Sequence, residues 1–260
     1  MEGQIIDIEI WRLAAAYLFV LIVMIIVKVR KISREKQIII ATFRMTLQLV
    51  LAGYLLTYIF ENPHPLLTII YVGIIVCFSI FNIFKMSKVP LSLKLKIVIV
   101  LSMVSGPIFC LFYYSVIVIH FQPWYDPRYF IPISGMIIGN AMTALNLGLN
   151  HLMERLIADK EKVESALMLG ATPAQAVKKY VDAAFDASIL PTINSMLGMG
   201  IIFLPGMMTG QILAGISPLV AIEYQLVILL GILGSVSITV IIFILFGYKT
   251  LFTKRSQINF

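Results

Sequence analysis

Residues 219–247 of the chain read LVAIEYQLVILLGILGSVSITVIIFILFG, an apolar run with one charged side chain, Glu223. As a helix, a run of this length is long enough to cross the hydrocarbon core of a bilayer, which is roughly 30 Å thick. A segment that is apolar all round, without a polar face, is typical of a membrane span. This stretch therefore predicts an integral membrane protein.

Six further apolar segments precede this run. They cover approximately residues 8–27, 38–60, 66–84, 97–121, 131–152 and 191–214. Backbone groups in lipid must be hydrogen-bonded within their own segment, and the runs lack the alternation of barrel strands, so each is predicted to be a helix. Only 13% of the residues are charged, against about a quarter in soluble domains. The predicted fold is all-α, a polytopic membrane protein with about seven transmembrane helices in one domain over residues 1–260.

The basic residues predict the orientation, because loops rich in Lys and Arg stay on the cytoplasmic side. They cluster at residues 28–36, 85–96 and 249–255, whereas the loops 61–65 and 122–130 hold one arginine between them. This alternation predicts an N-terminus outside and a cytoplasmic C-terminus. It also explains the net charge of +7 without a nucleic-acid partner.

Charged side chains interrupt the apolar pattern between residues 153 and 187. Gly170 gives a helix-stop signal, and Thr172 followed by Pro173 is a typical N-cap and first helical residue of a second helix over 174–187. We therefore expect a cytoplasmic helix-turn-helix. Alternatively, this segment is a connector without a binding role.

Several short motifs resemble those of a known family. Glu164-Ser165-Ala166 followed by Gly170-Ala171-Thr172-Pro173 resembles the Glu-Ala-Ala…Gly loop of ABC transporter permeases, although Ser165 replaces the first alanine. The order and spacing of PISGMIIGNAM (132–142), LGATP (169–173), LPGMMTG (204–210) and IEYQ (222–225) closely resemble the FetB-type family of ABC permeases. The resemblance is densest over residues 131–258.

This resemblance implies the membrane subunit of an ATP-driven exporter of iron or a related metal in the plasma membrane, the inner membrane if bacterial. Two copies would form the pathway, and a separate ATP-binding subunit would bind ATP and Mg²⁺, so this chain would not itself be an enzyme. Plant relatives are linked to aluminium tolerance, which leaves the substrate open. In this interpretation the residues that couple to the ATPase are Glu164, Ala166, Gly170, Ala171, Thr172 and Pro173.

A second set of residues is expected to line the translocation pathway. Pro205 lies within a predicted span, where an interior proline costs roughly 3 kcal/mol, so a broken helix is expected around residues 204–210. The candidates are Asn140, Asn194, Ser195, Pro205, Gly206, Met207, Met208 and Glu223. The alternative role of the asparagines is to form hydrogen bonds between helices, and that of the Pro-Gly pair is to form a packed kink. Glu223 would alternatively be a charge that stabilises the start of a helix.

Four methionines could serve as ligands of a soft metal ion, but methionine is also a common gap-filling residue, so we assign no metal ligand among these four residues. These are Met196, Met199, Met207 and Met208. The sequence contains no GxxxxGK[ST], HExxH or GxSxG motif, which gives no sign of a P-loop or a hydrolytic site in this chain. The alternative function is a stand-alone secondary transporter or channel, which would need a buried ion-coupling carboxylate or repeated halves.

Overall fold

The computed structural model describes residues 8–120 and 122–253, so Lys254 and Arg255 of the predicted C-terminal basic cluster lie outside the described residues. Helices make up nearly all of this part of the chain, and it contains no β-strand. The helices are α1 (Ile10–Ala16), α2 (Leu18–Val29), α3 (Glu35–Glu61), α4 (Pro65–Met86), α5 (Leu93–Tyr113), α6 (Pro127–Ala158), α7 (Lys160–Met168), α8 (Pro173–Gly198), α9 (Gly206–Leu213) and α10 (Pro218–Thr250). A π-helical turn, Tyr114–Val118, extends α5.

Six helical segments within the described residues are long and apolar enough to cross a membrane. They are Ile10–Val29, Glu35–Glu61, Pro65–Met86, Leu93–Val118, Pro127–Ala158 and Pro218–Leu251. Each overlaps one of the predicted spans, which confirms the predicted class of all-α integral membrane protein. The number of crossings and the orientation stay predictions.

The predicted span 191–214 differs from the other six because it does not form one helix. Its first part is the end of α8, residues 199–205 are not helical, and α9 follows. The predicted helix 174–187 is the first half of α8, which continues through Pro191 to Gly198. A helix can pass a proline when neighbouring groups compensate for the lost hydrogen bond, so the sequence signals did not fix where this helix ends.

The helices divide into two compact units. The first contains residues up to 63 together with 213–215, and within it the Tyr17 hydroxyl and Thr46 Oγ1 are hydrogen-bonded at 2.6 Å. The second contains residues 64–212 and those from 216 onward. Its core is built around α10, whose Val236 and Phe243 are completely buried together with Ile99 and Met103 of α5.

Small residues allow the helices of the second unit to approach closely. A Cβ on Gly106 of α5 would collide with the Thr239 side chain of α10 and lie 3.0 Å from the Thr239 backbone nitrogen. A Cβ on Gly148 of α6 would collide with the Ser188 side chain of α8 and lie 3.5 Å from the Ala184 carbonyl oxygen of that helix. Close backbone approach of this kind is a main source of helix association in membranes, because lipid supplies no hydrophobic force between apolar helices.

We expect Gly106→Ala to lower the free energy of unfolding by about 1–3 kcal/mol, because the added methyl group meets backbone atoms that cannot move aside. Thermal unfolding in detergent measures the effect. Gly73→Ala is the matched control, since a Cβ on Gly73 meets nothing within 4 Å. Equal stability of the two variants would contradict this account of the α5–α10 contact.

Candidate functional site

The segment from α7 to the start of α8 lies outside the six candidate spans and carries the residues predicted to couple to an ATPase. Val163 of α7 is buried and Leu167, one helical turn later, also packs against the core of the second unit. One face of this short helix is therefore attached to the rest of the unit. The opposite face is open to a partner.

Asp159 fastens α7 to α8. Its Oδ1 accepts a hydrogen bond from Lys162 Nζ at 2.7 Å, and its Oδ2 accepts one from the Tyr180 hydroxyl at 3.2 Å. The bond from Lys162, with a smaller contribution from Tyr180, holds the pKa of Asp159 below its usual value. Because the folded pKa lies below the unfolded one, this contribution to stability is present at neutral pH and is lost as the pH falls through the folded pKa.

The turn between α7 and α8 is capped on both sides. At the end of α7 the Gly170 N–H donates to the Leu167 carbonyl at 3.1 Å and the Ala171 N–H to the Ala166 carbonyl at 3.0 Å, which is a Schellman motif. Gly170 has a φ of +92°, a conformation that residues with a side chain rarely adopt. The role of Gly170 is therefore conformational.

The start of α8 has the N-cap predicted from the sequence. The Gln175 N–H donates to Thr172 Oγ1 at 3.3 Å, and the Thr172 N–H donates to Gln175 Oε1 at 2.9 Å. Pro173 is the first helical residue. This reciprocal capping box satisfies two donors that the helix end would leave unpaired, so the turn has one defined geometry.

The apex of this turn exposes two large apolar side chains that are not among the predicted coupling residues. Met168 is 86% and Leu169 is 89% exposed. We refer to Met168 and Leu169 as the turn apex. The predicted residue Glu164 instead forms an ion pair with Lys160 at 3.7 Å along α7. The sequence signal that could have indicated the exposed apex was the presence of two apolar residues directly before a C-capping glycine.

The loop between α4 and α5 lies against the end of α6 that leads into α7. The Lys88 N–H donates to Asn150 Oδ1 at 3.2 Å, and Lys88 Nζ forms an ion pair with Glu154 at 2.6 Å. The second basic cluster and the turn segment are therefore tied to the same end of α6. This arrangement agrees with the prediction that both lie on one side of the membrane.

The predicted pathway residues do not form one cluster. Asn140 is exposed on α6 and donates to the Met136 carbonyl at 2.8 Å, and Asn194 and Ser195 are exposed near the end of α8. Glu223 is exposed near the start of α10, two residues before the buried Gln225. Asn140, Asn194 and Ser195 thus lie on helix surfaces that are exposed among the described residues.

The break between α8 and α9 begins earlier than the sequence predicts. It starts at Met199, where Gly200 has a φ of +83° and its N–H donates to the Phe203 carbonyl at 3.0 Å. Pro205 immediately precedes α9, and its carbonyl accepts the first hydrogen bond of that helix, from Thr209 N–H at 2.9 Å. Gly206 is therefore helical, because a proline just before a helix costs little.

A cavity of about 380 Å³ lies beside the break. Met196, Met199, Met208 and Gln225 line it together with leucines of α10, and we call it the methionine cavity. Met207 packs against the core instead. Among the described residues no group of three or more His, Cys, Asp or Glu side chains is placed to hold a metal ion.

A further cavity, of about 700 Å³, lies between α4 and α5 and is lined almost entirely by apolar side chains such as Val72, Val76 and Leu111. None of the predicted site residues lines it. We assign no role in the candidate site to this cavity.

Comparison with known proteins covers nearly the whole chain. A family model described as "Uncharacterised protein family (UPF0014)" matches residues 10–252. The chain is 35% identical over 247 residues to "UPF0014 membrane protein YjkA" of Bacillus subtilis, which covers 95% of this chain and 97% of that protein. It is 33% identical over 247 residues to "Probable iron export permease protein FetB" of Escherichia coli, and the alignment covers 95% of this chain and 93% of that protein.

A plant protein is similarly related. "Protein ALUMINUM SENSITIVE 3" of Arabidopsis thaliana is 33% identical over 247 residues, covering 95% of this chain and 88% of that protein. No solved structure matches the chain. The bacterial relatives, together with the six apolar helices, support the predicted location in the plasma membrane.

We expect Asp159→Asn to loosen α7, because the neutral amide replaces the ionised acceptor that holds Lys162 and Tyr180. Hydrogen exchange at pH 7 of the amides of residues 160–169 should accelerate by about threefold, given the exposed position of the pair. Asp186→Asn, at an exposed carboxylate farther along α8, is the control and should leave this exchange unchanged. Unchanged exchange in Asp159→Asn would show that the apolar packing of Val163 and Leu167 is enough to hold the helix.

Proposed function

Because the chain belongs to the family described as "Uncharacterised protein family (UPF0014)", we propose that it is the membrane subunit of an ATP-driven ABC transporter that exports a metal species. The family membership confirms the resemblance to FetB-type permeases noted in the sequence. The name of the Escherichia coli relative describes an iron export permease, so iron is the first candidate substrate. A separate subunit binds ATP and Mg²⁺ and hydrolyses ATP.

The turn apex is the observation that carries this proposal. Two almost fully exposed apolar side chains on a doubly capped turn are costly in water and are typical of a surface that a partner covers. Such a surface fits an apolar cleft in an ATP-binding subunit. The capping on both sides of Gly170 and Thr172 keeps the apex in one geometry, which lowers the entropic cost of docking.

Helix α8 connects the docking surface with the broken segment. It runs without interruption from Pro173, beside the turn apex, to Gly198, where the break begins. A helix of 26 residues is about 39 Å long. Movement of the docked turn is therefore transferred along α8 to residues 199–205. In the proposed mechanism, ATP-driven closure of the partner moves this segment and opens the pathway.

The uncovered face of α6 supports a homodimer. A Cβ on Gly135 or Gly139 would meet nothing within 4 Å, and Asn140 and Thr143 beside them are exposed. Small and hydroxyl-bearing residues spaced four apart allow a second helix to approach closely, and polar side chains at this depth are unfavourable against lipid. We propose that two copies meet along this face and form the pathway between them.

The test of the proposed function is whether the purified chain retains ATP-hydrolysing activity through a bound partner. We expect Met168→Ser/Leu169→Ser to reduce the retained activity at least tenfold while membrane insertion stays normal, because the apolar contact of the turn apex is lost. Ile157→Ser is the matched control, since Ile157 is an exposed apolar residue near the end of α6 and away from the apex.

Equal activity in the double variant and the control would contradict docking through the turn apex. If the wild-type chain retains no ATP-hydrolysing partner in stabilising lipid, the stand-alone secondary transporter becomes the better interpretation. Gly170→Arg gives a second variant, because a side chain at a φ of +92° strains the turn without removing an apolar contact. It should likewise reduce retention of the partner.

The homodimer has its own test. We expect Gly139→Leu to convert dimers to monomers in single-molecule mass measurements, because the larger side chain blocks close approach of a second α6. The thermal stability of the monomer should not change, since the space beside Gly139 is open within the chain. Gly73→Leu, at an equally open position of α4, is the control. A dimer that persists in Gly139→Leu would place the interface elsewhere.

A further inference from the structure

The methionine cavity combines features that point to one class of ligand. Met196 and Met199 are three residues apart at the end of α8 and its C-cap, so they lie on one side of the chain. Met208 approaches the same space from α9 and is 7% exposed. Three methionines, from the end of α8 and from α9, thus line a single cavity, whereas the neighbouring Met207 packs against the core.

Gln225 supplies an independent sign that the cavity takes a ligand. Its side chain is 6% exposed and lines the cavity, and its Oε1 has no hydrogen-bond partner within the described residues. A buried carbonyl oxygen without a partner is costly, and most such groups in folded proteins are satisfied. A cation, or a donor on a ligand, placed in the cavity would satisfy it.

We propose that the methionine cavity binds a soft monovalent metal cation, Cu⁺, through the sulfurs of Met196, Met199 and Met208 and the amide oxygen of Gln225. Thioether ligands select Cu⁺ among biological metals, whereas Fe²⁺ prefers imidazole and carboxylate. All four donors are neutral, and the electrostatic cost of burying an ion rises with the square of its charge. The donor set therefore favours a monovalent cation over a divalent one.

The walls of the cavity suit such an ion. The remaining lining side chains are mainly leucines of α10, which give the ion largely apolar surroundings. Methionine has three rotatable side-chain bonds, so the three sulfurs can converge in a space of about 380 Å³. Leu204, Leu226 and Leu230 are at least half exposed and form an incomplete rim through which an ion can enter.

This inference makes Cu⁺, in place of iron, the candidate metal species of the proposed transport function, and it rests on that function for the passage of the ion. Binding itself needs only the permease chain. The glutamate nearest to the cavity in sequence, Glu223, does not line it, so no negative charge of that residue offsets the ion's charge. The site is thus distinct from a carboxylate-based site for Fe²⁺.

The experiment is an anaerobic titration of the purified full chain with Cu⁺ in competition with a chromophoric Cu⁺ chelator. It uses a Cys77→Ala/Cys110→Ala background, because free thiols also bind Cu⁺. We expect one Cu⁺ per chain, with sulfur and oxygen neighbours in X-ray absorption spectra. Met208→Leu should weaken binding at least tenfold. Met207→Leu is the matched control and should bind as tightly as the background chain.

Gln225→Leu should remove the oxygen neighbour from the spectrum while the sulfur neighbours remain. Thermal unfolding of each variant checks that the fold is intact, and replacement of Met by Leu keeps the side-chain volume. The proposal is overturned if the background chain binds no Cu⁺, if Met207→Leu and Met208→Leu lose affinity equally, or if Fe²⁺ displaces Cu⁺ from the site.

The outcome separates this inference from the proposed function. A chain that retains its ATP-hydrolysing partner but binds no Cu⁺ overturns the methionine site and leaves the transporter proposal standing. A chain that binds Cu⁺ through Met208 but retains no such partner overturns the transporter proposal and leaves the metal site.

Discussion

Close approach between helices at small residues is the constraint on which the second unit depends. Apolar helices in lipid gain little from burying apolar surface, so their association relies on contact at short range. Gly106 lets α5 reach the backbone of α10 at Thr239, and Gly148 lets α6 reach α8 at Ser188. The second contact fixes α8, and with it the turn at one end and the break at the other. The geometry of the turn apex and of the methionine cavity therefore follows from packing contacts in which the residues of these two sites take no part.

Six of the seven apolar segments predicted from the sequence are long apolar helices in the structure. They could be predicted because hydropathy and length are properties of each segment alone. The turn at Gly170 and Thr172 was equally predictable, since capping chemistry acts between residues that are close in sequence. The start of the break was not. Proline and glycine pointed to residues 204–210, but α8 ends at Gly198, where the chain folds back so that Phe203 packs on that glycine. Gly200, directly after the C-cap Met199, was the local signal for this helix end, but glycine also occurs often inside membrane helices, so this signal is weak.

The candidate site shows the same division. Pro173 and Thr172 have the roles that the sequence predicted, whereas the exposure of Met168 and Leu169 depends on which face of α7 packs against the core. Met207 and Met208 are adjacent residues of the same type. They point in different directions from α9, so Met207 packs against the core and Met208 lines the cavity. Residues two apart on α10, Glu223 and Gln225, are divided in the same way. Direction on a helix becomes known only when its neighbours are placed.

The interruption after Gly198 has a consequence for how the protein is made. The machinery that inserts helices into membranes selects segments by their own apolar length, and the region 191–214 has no single helix of that kind. Non-helical backbone is tolerated at membrane depth only where protein or water covers it. The methionine cavity beside the break is completed only by α10, the most hydrophobic of the six segments, so its residues reach their final arrangement after synthesis of that helix. A ribosome that stalls before residue 218 would leave the five earlier apolar segments inserted and the methionine cavity without its α10 wall.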